Sequence, residues 1–310
     1  MSGPVDAADA GPDGSTTAAA AAAVEVTESR AGHVGAFPVR RALPRRARRT
    51  VGAWCFVDHM GPATVDERGL GVAPHPHIGL QTVTWLLAGE AVHRDSLGTE
   101  QVIVPGQLNL MTAGHGVAHS EEGTGTYRGD LHGVQLWVAQ PSRTRHGPPA
   151  FEHHAELPQV ELDGTVATVL VGDLAGAVSP ARRDTDHLGV DLELRPGRRS
   201  IPLRTDCEHA LVVLAGAALV DGAVVEPGHL AYVGVGRHEI VVSTEAPSRA
   251  LLVGGVPFDE PVLMWWNYVA RTREEILAAH DDWVAEATRF GHVDSGLPRV
   301  IVDPPPWRRR

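Results

Sequence analysis

Two histidines stand on either side of a proline in the stretch "APHPHIGLQTVTWLL", which begins at Ala73. His75 and His77 precede a run of apolar and small polar residues that is typical of a β-strand. Side chains two positions apart on a strand point to the same side of it, so these two imidazoles would face one point together. A metal ion suits that arrangement, although two exposed loop histidines would show the same spacing.

A second pair with the same spacing follows in "GVAHSEE", where His119 and Glu121 again stand at positions i and i+2. If the two strands converge within one β-barrel, three imidazoles and one carboxylate meet at one point. Such a donor set favours Fe, Mn, Ni, Cu or Zn over Ca or Mg, and it leaves positions open for substrate and dioxygen or water. The sequence therefore predicts one divalent metal ion, held by His75, His77, His119 and Glu121.

The elements that must position these residues are short. Between scattered glycines (34) and prolines (23) lie segments of strand length that are rich in Val, Leu, Thr and Trp. Examples are "QTVTWLLAG", "EQVIVPG", "QLNLMTAG" and "HGVQLWVAQP", each bounded by turn residues. We find no convincing helical period from about residue 30 to about residue 260. This pattern predicts an all-β sandwich or barrel.

An internal similarity indicates two copies of one β domain. The segment "TWLLAGEAV" at 84–92 resembles "LVVLAGAAL" at 211–219. Downstream, "VIVPGQLNLMTAGHG" at 102–116 resembles "AVVEPGHLAYVGVGR" at 223–237. The two similarities have nearly the same separation along the chain, as a tandem duplication requires. We expect the linker within "QPSRTRHGPPAFEHHAELPQ", where Pro, Gly, Arg and His cluster.

The second copy lacks the histidine pairs of the first. At the offset of the first similarity, the positions that correspond to His75 and His77 hold Pro202 and Arg204. We therefore expect no metal ion in the second barrel. Its interior should instead be filled by apolar side chains, for which the candidates are Leu211, Val213, Leu214 and Leu219.

Near the C terminus the pattern changes to that of a helix. In "TREEILAAHDDWVAEATRFG", Thr272 and Glu275 have the spacing of a capping box, and apolar residues then recur at a helical period. Gly291 suits the end of that helix. We therefore predict five segments: a flexible tail at 1–24, a metal-binding domain at 25–150, a metal-free domain at 151–270, a helix at 271–291 and a second tail at 292–310.

Composition and charge indicate which binding partners and which location to expect. The net charge of -11 argues against general affinity for the backbone of nucleic acids. One local exception, "RRALPRRARR" at 40–49, is either a basic patch for a protein partner or a solvated surface strand. No apolar run is long enough to span a bilayer, and the acidic first residues do not have the form of an export signal. With two cysteines, Cys55 and Cys207, no disulfide framework is expected, so the cytoplasm is the predicted location.

The motifs around the candidate ligands resemble those of the cupin barrel. His75-Pro-His77 leads to Gly89, as in the first cupin motif, and "GVAH" matches the Gly-x-x-His of the second motif. The usual cupin carboxylate would fall near Gln81 or Thr82, and neither is a good ligand. The carboxylate has instead moved to Glu121, the arrangement of one cupin family.

That family is pirin, which the chain resembles over roughly residues 25 to 291. The matching stretches are "VGAWCFVDHMGP", "PHPHIGLQTVTWLLAGEAVHRDSLG", "PGQLNLMTAGHGVAHSEE" and "LHGVQLWV", with "TREEI" and a trailing "RFG" near the end. The resemblance implies a bicupin: tandem cupin barrels followed by a helix. It also implies that the metal ligands are His75, His77, His119 and Glu121, with iron as the first choice of metal.

Two functions follow from this resemblance. Several bacterial pirins resemble quercetin 2,3-dioxygenases, which open the heterocycle of a flavonol with O2 and release carbon monoxide. Here Glu121 would also accept the proton of the flavonol hydroxyl as a general base. Eukaryotic pirins resemble transcriptional co-regulators instead, which implies an iron-binding, redox-sensitive interaction protein. Because cupins support many functions, the fold alone leaves both possibilities open.

Overall fold

The computed structural model describes residues 24–35 and 37–309. Strands dominate it, and its one α-helix among the described residues, α1 (Arg273–Val284), lies near the C terminus, followed by a 3-10 turn at Pro306–Arg309. The predicted all-β class with a C-terminal helix is confirmed. The tail predicted at 1–24 lies outside the described residues, apart from Val24.

The strands up to residue 154 are β1 (Glu25–Thr27), β2 (Arg30–Val34), β3 (Phe37–Leu43), β4 (Trp54–Val65), β5 (Val72–His77), β6 (Leu80–Ala88), β7 (Ala91–Asp95), β8 (Glu100–Ile103), β9 (Leu108–Thr112), β10 (Val117–Glu122), β11 (Gly129–Ala139) and β12 (Ala150–His154). The later strands are β13 (Gln159–Leu162), β14 (Thr165–Val171), β15 (Asp173–Leu174), β16 (Ala177–Val178), β17 (His187–Leu194), β18 (Gly197–Pro202), β19 (Glu208–Ala215), β20 (Ala218–Val220), β21 (Ala223–Val225), β22 (Leu230–Val233), β23 (Glu239–Thr244), β24 (Ser248–Gly255), β25 (Leu263–Trp265) and β26 (Tyr268–Ala270).

Each half of the chain builds one large and one small antiparallel sheet. The first large sheet has the order β12-β9-β6-β11-β4-β3-β2, and the first small sheet has the order β5-β10-β7-β8. The second large sheet has the order β1-β22-β19-β24-β17-β14-β13, and the second small sheet has the order β18-β23-β20-β21. The repeated strand order is what the internal similarity of the sequence predicts. Strand β12, at residues 150–154, pairs within the first large sheet, while β1 pairs within the second.

The two large sheets pack against each other through one apolar cluster that includes Trp54 and Trp85 from the first half and Leu251 from the second. The Trp54 indole N–H also crosses between the halves, donating to the Leu188 carbonyl at 2.9 Å. Because side chains alternate along a strand, the residues of β6 next to Trp85 in sequence point the other way, into the first barrel. Thr84 is one of them, and it is buried there.

The interior of the second barrel is apolar but differs from the predicted set. Leu211 and Val213 lie in its core, as expected. Leu214 instead joins the cluster between the two halves, because it follows Val213 on the strand and faces the opposite side. Leu219 is 40% exposed, whereas its neighbours Ala218 and Val220 are buried. The prediction was wrong for Leu214 and Leu219, for the same reason of strand alternation.

Helix α1 begins with the predicted cap. The Thr272 hydroxyl accepts the Glu275 N–H at 3.2 Å, and the Glu275 carboxylate accepts the Arg271 N–H at 2.8 Å. The helix ends at Val284, before Gly291, because the backbone turns left-handed at Glu286 with a φ of 56°. Across the described part of the chain, no helix combines the length and apolar character needed to cross a membrane.

The arginine-rich segment at 40–49 contributes to contacts within the protein. Arg41 forms a two-pronged pair with the buried Asp58 carboxylate, at 2.8 and 2.7 Å. Arg48 pairs with Glu25 at 2.8 Å and covers the Tyr232 ring at 3.1 Å from its centroid. Arg41 therefore binds the segment to strand β4, and Arg48 binds it to the second large sheet.

Candidate metal centre

Three histidines from two neighbouring strands meet inside the first barrel. Strands β5 and β10 pair so that His119 lies opposite His75, and Val117 lies opposite His77. One ring nitrogen from each of the three histidines lies within 4.8 Å of the others. The Nε2 atoms of His77 and His119 are 3.1 Å apart. The spacing that suggested convergence therefore corresponds to a real cluster of three imidazoles.

Backbone carbonyls orient two of these rings. His75 Nδ1 donates to the Ala73 carbonyl at 2.9 Å, and His77 Nδ1 donates to the Asn267 carbonyl at 2.9 Å. Because a carbonyl oxygen only accepts, each Nδ1 carries the proton and each Nε2 keeps its lone pair. A ring whose other nitrogen is fixed in this way is the usual form of a metal-binding histidine.

The three imidazoles are also held in the neutral form. Burial lowers the pKa of His75 to about 4, and it lowers the pKa of His77 and of His119 well below the usual value. The neighbouring imidazoles lower the pKa of His77 and His119 further. Since a histidine must be neutral to bind a metal, the cluster is ready to do so. Three buried neutral imidazoles fit Fe, Mn, Ni, Cu or Zn better than Ca or Mg.

Glu121 lies inside the same barrel but outside the set of three imidazoles. Its carboxylate accepts the Thr84 hydroxyl at 3.1 Å, and the same hydroxyl lies 2.8 Å from the Gln135 side-chain oxygen. Burial raises the pKa of the Glu121 carboxyl, against the opposing effects of His93 and the Thr84 hydrogen bond. Pairing with β5 shifts register between His119 and Glu121. Pairing with β7 stays regular over the same residues, so the extra residue of this bulge lies on β5 and not on β10.

An aromatic wall adjoins the histidines. The edge of the Trp137 ring meets His77 with 5.1 Å between centroids, and Phe56 stacks on Trp137 at 4.0 Å. Both aromatic rings are buried. They give one side of the site an apolar surface, which limits the access of water and strengthens electrostatic interactions nearby.

The site depends on a hairpin from the far end of the chain. Strands β25 and β26 form that hairpin, and Asn267 at its turn supplies the carbonyl that accepts from His77. It docks through Val269, whose N–H donates to the Ile78 carbonyl at 3.1 Å. Gly79 permits this approach, because a Cβ there would lie 2.2 Å from the Val269 carbonyl oxygen. A backbone atom of Asn267 leaves no signal in the sequence.

A third pair at i, i+2 spacing lies on the neighbouring strand β7. His93 and Asp95 are both buried, and they pair across the strands with Glu121 and His119, respectively. The ligand set predicted from the sequence used only the pairs on β5 and β10. Their spacing was the signal that could have identified them.

The second barrel holds different residues at the matching places. Strand β23 places Ile240 opposite Ile201 of β18 and Val242 opposite Val220 of β20, as β10 places His119 opposite His75 and Glu121 opposite His93. The positions chosen from the sequence offset lie elsewhere, since Pro202 is exposed at the end of β18. Arg204 lies beyond the strand and pairs with Asp186 at 2.8 Å.

Comparison with known proteins identifies both halves. A family model described as Pirin matches residues 36–138, and one described as Pirin C-terminal cupin domain matches residues 189–291. A Pseudomonas aeruginosa protein, whose name assigns it provisionally to the quercetin 2,3-dioxygenases, is 45% identical over 277 residues, or 88% of each chain.

Solved structures agree with this assignment. The crystal structure of a quercetin 2,3-dioxygenase from Acinetobacter baumannii superposes with a TM-score of 0.89 at 41% identity, covering 93% of this chain and 97% of that one. The Escherichia coli pirin YhhW, crystallised with nickel(II), shares the fold with a TM-score of 0.61 at 16% identity, covering 76% of this chain and 100% of that one. The chain therefore belongs to the pirin family and carries a cupin domain in each half.

Proposed function

We propose that the protein is a metal-dependent dioxygenase that acts on quercetin or a related flavonol. The metal would be a single divalent ion, with iron as the first choice, and its ligands would be His75, His77, His119 and Glu121. The observation that carries the proposal is the convergence of three buried, neutral imidazoles in the first barrel. The names of the two most similar relatives described above support the choice of substrate.

Each residue has a distinct task in this proposal. When bound, a divalent metal supplies Lewis acidity, which favours the ionised form of a hydroxyl group that it coordinates. Glu121 would accept the hydroxyl proton of the flavonol as a general base. Thr84 donates a hydrogen bond to one oxygen of that carboxylate. Trp137 and Phe56 supply the aromatic wall beside which a flat substrate is held.

The test begins with protein purified without added metal. Metal analysis should find about one divalent ion per chain, as one imidazole cluster of this kind predicts. Protein loaded in turn with Fe, Mn, Ni, Cu or Zn is then supplied with quercetin and other flavonols, while O2 uptake and carbon monoxide are measured. Carbon monoxide release with at least one metal is the expected result. Its absence with every metal and flavonol would overturn the dioxygenase proposal.

Glu121→Gln isolates the proton acceptor, because the amide keeps the shape of the side chain but cannot take up the proton. We expect the rate to fall by ~10²–10⁴-fold, the usual cost of losing a general base. The variant must be compared with the parent protein at equal metal content, so that weaker binding of the ion is not mistaken for slower chemistry. An unchanged rate at equal occupancy would remove Glu121 from the catalytic role.

If no combination of metal and flavonol releases carbon monoxide, the alternative function, an iron-binding redox-sensitive regulator, takes precedence. The segment at 40–49 would be the first candidate for its protein contact, although Arg41 and Arg48 already bind within the chain. Our proposed location is the cytoplasm, where the free and buried thiols of Cys55 and Cys207 would stay reduced. The domain limits at 25–150 and 151–270 also remain a proposal.

A further inference from the structure

Three adjacent strands of the first small sheet each present two polar side chains to the barrel interior. Strand β5 presents His75 and His77, and strand β10 presents His119 and Glu121; the third strand, β7, presents His93 and Asp95. The His93 and Asp95 side chains are 4% and 0% exposed, so water cannot supply their hydrogen bonds. Burying an imidazole and a carboxylate carries a cost unless each is hydrogen-bonded.

A chain of contacts joins this third pair to a proposed ligand. Asp95 Oδ2 lies 3.0 Å from His93 Nε2, and His93 Nδ1 lies 3.3 Å from His119 Nδ1. The His93 ring is fixed between them, because it also stacks on Phe151 with 4.5 Å between centroids. The contacts therefore run from Asp95 through His93 to the Nδ1 edge of His119.

Asp95 is itself fixed in position and in charge. Its Oδ1 atom accepts the N–H groups of Leu97 at 2.9 Å and Thr99 at 3.0 Å, so Oδ2 is the atom that faces His93. Burial acts to raise the pKa of Asp95, but the bonds from His93, Thr99 and Leu97 outweigh it and leave that pKa lowered. An ionised carboxylate can only accept hydrogen bonds, so His93 must place a proton on Nε2.

We propose that Asp95 and His93 are positioning residues that keep the proton of His119 on Nδ1, so that its Nε2 atom stays available as a ligand. With its proton on Nε2, the His93 ring offers a lone pair at Nδ1, and His119 Nδ1 donates to it. His75 and His77 need no such device, because backbone carbonyls accept from their Nδ1 atoms. An imidazole acceptor is different, since it can act in either tautomer, and Asp95 removes that choice. The acceptor that competes for the same proton is His77 Nε2, which lies 3.1 Å from His119 Nε2. This inference rests on the proposed metal site.

Asp95→Asn tests the proposal with almost no change in shape. Oδ1 can still accept from Leu97 and Thr99, which turns the new amide N–H towards His93 Nε2. His93 would then accept at Nε2 and carry its proton on Nδ1. That N–H can only donate to His119 Nδ1, which moves the His119 proton to Nε2, where it blocks ligation. The variant should therefore reverse both tautomers.

Two measurements report on this reversal. The first uses protein labelled with ¹⁵N-histidine and stripped of metal by a chelator, in which NMR distinguishes the two tautomers of each ring. His119 should carry its proton on Nδ1 in the parent protein and on Nε2 in Asp95→Asn. The second measures Zn(II) affinity by competition with a chelator, where we expect a loss of about 10–100-fold, as for other outer partners of metal ligands.

His93→Phe serves as the matched variant, because it keeps an aromatic ring against Phe151 but neither donates to nor accepts from His119. His119 is then free to adopt either tautomer, so the loss of Zn(II) affinity should be smaller than in Asp95→Asn. A purely structural role for the pair predicts the opposite order, since His93→Phe removes the larger set of contacts.

The outcomes separate this inference from the proposed function. A His119 tautomer that is the same in the parent protein and Asp95→Asn would overturn the inference, even if Zn(II) affinity falls. If the tautomers reverse but the parent protein binds no metal, the inference stands and the metal site fails. If Asp95→Asn does not fold, NMR of His93→Phe decides instead. The inference would be overturned if His119 carries its proton on Nδ1 in the same fraction of molecules as in the parent protein.

Discussion

The two small sheets have the same strand order and different interiors. In the first, His75, His77 and His119 face inward; in the second, the places that match His75, His119 and Glu121 hold Ile201, Ile240 and Val242. All three of these residues are fully buried. The second barrel thus closes around largely apolar contacts at the places where the first has imidazoles. The comparison teaches that this architecture does not need a metal-binding cluster in order to fold.

The polar interior of the first barrel therefore has a different purpose. Burying neutral imidazoles is tolerable because each one finds a partner, such as the Ala73 carbonyl for His75 or the Asn267 carbonyl for His77. Apolar side chains in these places would be the simpler route to stability. We infer that the histidines are retained for chemistry, whereas the matching residues of the second barrel are retained for packing.

The sharpest test of this comparison changes one inward-facing residue in each barrel. In His77→Ala we expect metal affinity to fall by more than ~100-fold, because losing a ligand should cost more than losing an outer partner. In Ile201→Ala we expect no change in metal affinity, but a loss of about 2–5 kcal/mol in the free energy of unfolding, as for other buried Ile truncations. Metal analysis and denaturant unfolding measure the two effects.

Each variant is the control for the other. A loss of bound metal in Ile201→Ala, in protein that remains folded, would place a ligand in the second barrel and break the comparison. Full metal content in His77→Ala would show that the cluster in the first barrel is not the site.

A second test asks whether the hairpin of β25 and β26 completes the first barrel. Gly79 and Gly71 have similar backbone angles, with φ of 65° and 60°, but a Cβ at Gly71 would meet nothing within 4 Å. Gly71→Ala should therefore cost only the strain of a left-handed residue, roughly 1–2 kcal/mol. Gly79→Ala adds a collision with the Val269 carbonyl and should cost roughly 1–3 kcal/mol more.

Metal affinity distinguishes the two glycine variants more clearly. Displacing the hairpin in Gly79→Ala moves the Asn267 carbonyl away from His77, so Zn(II) affinity should fall, while Gly71→Ala should leave it unchanged. Equal affinities in the two variants would mean that the hairpin does not support the site.

The smallest expected effect concerns the helix that follows this hairpin. Arg145 pairs with Glu275 at 2.7 Å, and this pair lowers the pKa of Glu275 to about 2 from the ordinary 4.5. Because the folded pKa is the lower one, the contribution is complete above pH 4.5 and disappears as the pH falls towards 2. For a partly exposed pair it should be about 0.2–1 kcal/mol.

Glu275→Gln provides the measurement. Its free energy of unfolding should be lower than that of the parent protein at neutral pH, and the difference should shrink as the pH is lowered through this window. A difference that does not depend on pH would assign the role of Glu275 to packing or capping rather than to charge. The second barrel contributes no partner to this pair, so its own truncation variants should not alter the profile.

Particular residues show which parts of the site and the core could be predicted from the sequence. The convergence of His75, His77 and His119 could be predicted because the two-residue period of a strand is a local property. The hydrogen bond from Thr84 to Glu121 could not, because it depends on how two different strands come together. Leu219 was misplaced for a related reason: similarity to the first copy gave its position along the chain but not the side of the strand that it faces.

The sequence by itself determined the family, the all-β class, the duplication and the three histidines that gather in one barrel. These follow from residue spacing, turn residues and alternation, which act over a few positions of the chain. Only the tertiary structure decided that Asn267 orients His77, that Asp95 and His93 reach His119, and that Ile201 and Ile240 occupy the places of His75 and His119 in the second barrel. Each of these depends on contacts between distant parts of the chain or on strand register. The local spacing of residues determines neither the contacts nor the register.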